Sequence, residues 1–171
     1  YVAGTTAFAR FCSADLPNKN AFFLKGQTGT AHRIFLSGEE TSPAFTADHG
    51  RVFAHVVTGP EKNRTYELPR LGKMAFENTL ASPFRQEKTI VMLNDDAGRE
   101  TNVTVANVCR TSPGAAGCVE PPSELYMYVG AKQSSGNEIE RAGLTNGSFY
   151  GVKVAGVTGE PTLGVDILAA D

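Results

Sequence analysis

A chain of 171 residues with 41% hydrophobic content and a formal net charge of −2 is long enough to bury one substantial core. It carries neither a global positive field nor a Lys/Arg cluster that would mark a nucleic-acid face. Its longest apolar runs, Val52 to Val57 and Thr89 to Leu93, fall far short of the roughly 20 residues needed to cross a bilayer, so neither nucleic acid nor a membrane span is expected.

The chain starts at Tyr1 with neither Met nor a charged-then-apolar leader, which reads as a mature form or a fragment, treated as a single unit over 1–171. Cys12 comes first among residues with chemistry, in Arg10-Phe-Cys-Ser-Ala-Asp15. It reads as a buried structural thiol or a thiolate metal ligand, and without a partner cysteine it does not support tetrahedral zinc. Ser13 to Phe23 is a modest helix candidate. Lys25-Gly-Gln-Thr-Gly-Thr30 lacks the Gly-Lys-Ser/Thr ending of a phosphate-cradling loop.

From Arg33 onward, short β-rich runs bounded by turn residues recur: 33–36, 52–57, 65–68, 89–93, 103–106, 125–129 and 149–154. Eighteen glycines and nine prolines punctuate them, and the only other helix candidate is Gly72 to Leu80. The spacing predicts an all-β fold of antiparallel four-stranded meanders. Two units stand out, at about 32–71 and 76–157, as two to three blades of a β-propeller would be written; the alternative is a β-sandwich.

Acidic residues sit where these runs end. Glu39 and Glu40 follow Ile34-Phe-Leu36, Glu77 follows the Gly72-Lys73 turn, and Asp95 and Asp96 follow Ile90-Val-Met-Leu93. Three acidic strand exits would make an oxygen-rich pocket for a hard cation if the loops converge; otherwise they are solvated turn residues. His32, His49 and His55 form no metalloprotease or paired pattern, and no Gly-x-Ser-x-Gly elbow supports a serine hydrolase. Cys109 and Cys118 flank a turn-rich stretch suited to closure by a disulfide. Asn63, Asn102 and Asn146 each open an N-x-S/T glycosylation acceptor.

Taken in order, the segments 11–16 around Cys12, 33–40, 71–78 with Ala81-Ser-Pro83, 93–96 and 125–130 resemble the central part of PhoX-type alkaline phosphatases and their relatives. The resemblance runs from about Phe8 to Val157. It implies a propeller of about six blades, with calcium and iron in a central pocket, hydrolysing phosphomonoesters in an extracellular or periplasmic setting. By that resemblance Cys12 matches the iron-binding cysteine, Glu39 or Glu40 a metal-binding glutamate, and Glu77 the glutamate after a Leu-Gly-Arg-like turn, with Asp95 and Asp96 at the next strand end. The family's arginine two residues before that glutamate is Ala75 here, leaving Lys73 and Arg70 as the cations to hold phosphate without a bidentate fork. The family's His-Glu segment and further blades have no counterpart in the sequence, so missing blades or self-association are expected to cover the sheet edges.

Overall fold

The computed structural model describes residues 8–40, 50–95 and 125–152. Their strands are β1 (Arg10–Phe11), β2 (Phe23–Lys25), β3 (Thr28–Gly29), β4 (Ile34–Glu40), β5 (Val52–Val56), β6 (Thr65–Glu67), β7 (Phe76–Ala81), β8 (Lys88–Asp95), β9 (Leu125–Ala131) and β10 (Ser148–Gly151), with one α-helical turn, α1 (Glu138–Arg141). The fold is all-β, as the spacing of the β-rich runs predicts. Two antiparallel four-stranded sheets form, in the orders β1-β4-β5-β6 and β7-β8-β9-β10, and β2-β3 makes a small separate hairpin.

Both sheets turn an apolar face to the seam between them. On the first, Ile34, Leu36, Val52, Ala54 and Val56 are buried; on the second, Phe76, Val91, Leu93 and Tyr128 are buried. Period-two alternation dictates this, because successive side chains leave a strand on opposite faces. The closest approach is at Gly38 of β4. A Cβ built there would lie 2.5 Å from Phe76 Cβ and 3.0 Å from Thr79 Oγ1 on β7, so any larger residue would wedge the two sheets apart.

Alternation places the opposite faces just as firmly, and each carries apolar or aromatic residues among its polar ones. Leu80, Met92, Met127 and Tyr150 are register neighbours across the second sheet, pointing away from buried Val91 and Tyr128, with Leu80 and Tyr150 about half exposed. On the first sheet, Phe35 and His55 pair across β4 and β5, and Phe8, Phe11 and Phe53 join them edge to face.

Both expected helices give way to other structure. Within Ser13 to Phe23 only one 3-10 turn forms, Lys19–Ala21, started by Asn18 accepting from Asn20 N–H. Pro17 interrupts the segment, and Asp15 is already bridged to Leu36. Within Gly72 to Leu80, a 3-10 turn at Pro69–Leu71 ends at Gly72, whose φ of 90° is open to glycine, and the chain then enters β7. The first unit also starts earlier than 32, since its fourth strand is β1. The run 103–106 lies outside the described residues. The turn α1 was not foreseen, although Asn137 and Glu140 make a full capping box.

Candidate functional site

Three of the residues singled out by the sequence meet at one end of the seam. Cys12 extends β1, its N–H donating to the carbonyl of Gly38. On β4, Arg10 is the register partner of Glu40 and Phe11 that of Glu39, so Glu40 shares the inward face of Gly38 while Glu39 points outward. Glu77 arrives from β7 at a bulge. Phe76 pairs with Asp95 and Asn78 with Asn94, so β7 carries one residue more than β8 at Glu77, the device that re-aims a side chain. The result is that ligand atoms of Cys12, Glu40 and Glu77 lie within 4.8 Å of one another.

The cluster is electrostatically tense. Cys12 is an exposed free thiol pushed up to about 11, first by its hydrogen bond to Glu40, then by burial and by the negative charges of Glu40 and Glu77, with Arg10 opposing. The thiol is therefore protonated at neutral pH, and a metal ion that takes the thiolate must displace that proton. Arg10 pairs with Glu40. Ser13 Oγ and Thr79 Oγ1 are buried without hydrogen-bond partners, Thr79 beside Gly38.

One thiolate and two carboxylates offer three donor atoms, one soft and two hard. The same set falls short of the six to eight oxygens that calcium takes, and the described residues at the cluster supply no more carboxylates.

The remaining predicted residues lie elsewhere. Glu39 is fully buried on the outer face, where its carboxylate accepts from Arg51 Nε at 2.7 Å and Nη2 at 3.1 Å and from the Ala9 N–H at 3.0 Å. Asp95 is buried and accepts from Ala75 N–H. Arg70 donates to Gly147 O, and Lys73 is exposed on the link into β7. Asn63 is exposed in a left-handed turn; Asn146 pairs both ends of its amide with the Ala131 backbone. Asp96, Asn102, His49 and the Cys109–Cys118 bridge lie outside the described residues. Arg10, the ion-pair partner of Glu40, was not among the candidates, although it stands two residues before the cysteine, on the same face of an extended strand.

The first sheet also holds a polar relay that the sequence left unassigned. Ser37 Oγ lies 2.8 Å from His55 Nε2, and Thr65 Oγ1 lies 2.9 Å from Nδ1. Burial holds His55 below its ordinary value of 6.5. Between the folded and unfolded pKa values the unfolded chain binds more protons, so this contribution to stability is complete above pH 6.5 and declines as pH falls through that window. Asp15 is shifted upward by burial and acts with the opposite sign at lower pH. Urea midpoints at pH 7.5 and 5 should therefore drop more in the wild type than in His55→Gln, where the difference between the two proteins isolates the imidazole; equal drops would remove His55 as the cause.

Comparison with protein-family models, with curated proteins and with solved structures gives no match.

Proposed function

We propose that the chain is part of a β-propeller phosphomonoesterase acting outside the cytoplasm, and that Cys12, Glu40 and Glu77 hold an iron-type ion at its centre. The observation that carries this reading is the convergence of those three ligand atoms within 4.8 Å. They come from three strands and two sheets, far apart in sequence.

The propeller part draws support from the second sheet's outer face. A free-standing sandwich presents polar residues to water on its outer faces, whereas the Leu80-Met92-Met127-Tyr150 row suits a layer with another sheet against it. Blades stacked around an axis have that character.

Cys12, Glu40 and Glu77 would hold the ion, which would supply Lewis-acid polarisation of a phosphoryl oxygen and of an attacking oxygen nucleophile. The chain's own residues do the rest. Glu40 and Glu77 serve as ligands and not as proton carriers. The bulge at Glu77 and the Gly38 contact set the spacing between the two sheets' contributions. Cys12 yields its proton on ligation.

A second reading is a non-enzymatic extracellular β-module, favoured by Ala75 standing where the resembling family has arginine and by the engagement of Arg70 at Gly147. Elemental analysis of the native protein, together with turnover of an aryl phosphate before and after chelation, separates the two. Bound transition metal with chelator-sensitive turnover is the expected result. Metal-free protein without turnover would establish the module instead.

A further inference from the structure

We infer that Asn146 and Gly147 form a site of spontaneous modification, which converts to aspartate and isoaspartate when the turn between β9 and β10 opens, and that Tyr128 and Ala131 hold it shut in the folded chain. The conversion needs no metal ion and so stands apart from the reading above.

An asparagine followed by glycine is the arrangement in which a chain most readily attacks itself. The Gly147 nitrogen bonds to Cγ of Asn146, Nδ2 leaves as ammonia together with the proton of the Gly147 N–H, and a cyclic imide closes. Water then opens the imide at either carbonyl, giving aspartate or isoaspartate. A side chain on the second residue hinders the approach, and glycine has none. Asn146–Gly147 is the one such pair among the 171 residues.

Packing demands that glycine. A Cβ on Gly147 would lie 2.4 Å from Tyr128 Cζ and 2.5 Å from Val129 O, so no larger residue fits against the buried Tyr128 ring. The fold therefore carries a labile pair because of its own core, and the same core restrains both reacting atoms.

On the Asn146 side, Oδ1 accepts from the Ala131 N–H at 3.0 Å and Nδ2 donates to Ala131 O at 2.9 Å. This two-point clasp fixes the plane of the carboxamide and keeps Cγ from turning toward the Gly147 nitrogen. On the Gly147 side, the N–H donates to Tyr128 Oη at 2.8 Å, and that hydroxyl donates to Gly143 O at 2.9 Å. Arg70 donates to Gly147 O at 3.3 Å. Attack requires the clasp and the Tyr128 bond to release together, so conversion proceeds from an open turn whose population is set by local opening. The product cannot close the clasp again. An aspartate carboxylate has no donor for Ala131 O, and isoaspartate adds a carbon to the main chain just before β10, an edge strand of its sheet.

The test follows position 146 by peptide mapping, with mass spectrometry reading the exchange of amide for acid in native and urea-unfolded protein held in the same mildly alkaline buffer. Native wild type is expected to convert at least ~10-fold more slowly than the unfolded chain. Tyr128→Phe removes the bond to Gly147 and should speed native conversion by about 2- to 10-fold, the equivalent of one net hydrogen bond, while leaving the unfolded rate unchanged. Equal native and unfolded rates in the wild type overturn the inference, as does a Tyr128→Phe protein whose native rate matches the wild type. Tyr128 is fully buried, so a measurement on the unaltered protein guards against misfolding of the variant: the Gly147 N–H should be protected in hydrogen exchange, and exchange at the rate of an unstructured amide overturns the inference too. Asn146→Asp, which carries the side chain of the product, should unfold at lower urea than the wild type. An unchanged midpoint would overturn the loosening of β10.

Discussion

Replacing Cys12 with alanine or Glu77 with glutamine is expected to weaken transition-metal binding at least ~100-fold, with little change in the stability of the metal-free protein. Loss of an outer-sphere partner costs a metal site about 10–100-fold, and loss of one of only three direct ligands belongs at or beyond the upper end. Neither residue supports the core. Cys12 is exposed and Glu77 half-buried, and substitutions at such positions ordinarily move stability by about 0.5 kcal/mol or less. Removing the Glu77 charge also takes away one of the smaller causes that raise the Cys12 thiol. Calorimetric titration with cobalt(II), alongside urea unfolding, provides both readouts. Variants that bind the ion as tightly as the wild type would remove Cys12 and Glu77 from the ligand set.

The neighbouring Glu39 is expected to behave in the opposite way. Glu39→Ala should cost about 3–5 kcal/mol of stability, the range for breaking a buried ion pair by deleting one partner. Its carboxylate is fully buried and engages the Arg51 guanidinium twice, and Arg51 in turn lies over the Phe53 ring, 5.0 Å from its centroid. Deletion removes the closest acid from a mostly buried cation, 17% exposed, which also has Glu67 at 3.8 Å, and it takes the acceptor from the Ala9 N–H. Metal affinity of the folded fraction should be unchanged, because Glu39 leaves β4 on the face away from Cys12. A variant of wild-type stability that has lost the ion would make Glu39 the ligand and Glu40 its support.

The contrast between Glu39 and Glu40 shows where reading the sequence stops. Both were candidates on the same grounds, an acidic pair at the end of an apolar run, and a one-residue difference puts them on opposite faces of β4. Deciding which faces the seam requires the register with β1, a contact across about thirty residues of chain. Glu77 poses the same problem in another form, because its direction depends on a bulge that exists only relative to β8. The mistaken helix at Gly72 to Leu80 has a related cause. Without the pairing to β8, the apolar residues of 74–80 fit a helical stripe about as well as an alternating one, and tertiary pairing decided the matter.

The sequence by itself determined the class of the fold and the kinds of residue available to a site. Alternating β-branched and aromatic runs, cut by glycine and proline, permit strands and little else, and that preference is local. The identity of the cluster was decided only by the tertiary structure. Cys12, Glu40 and Glu77 meet because two sheets close to within a glycine's width at Gly38, while strand alternation turns Glu39 to an ion pair on the other face and Asp95 accepts from the Ala75 N–H. Propensity acts over a few residues, whereas a site assembled from three strands depends on register and on the distance between sheets, which no short stretch of chain encodes.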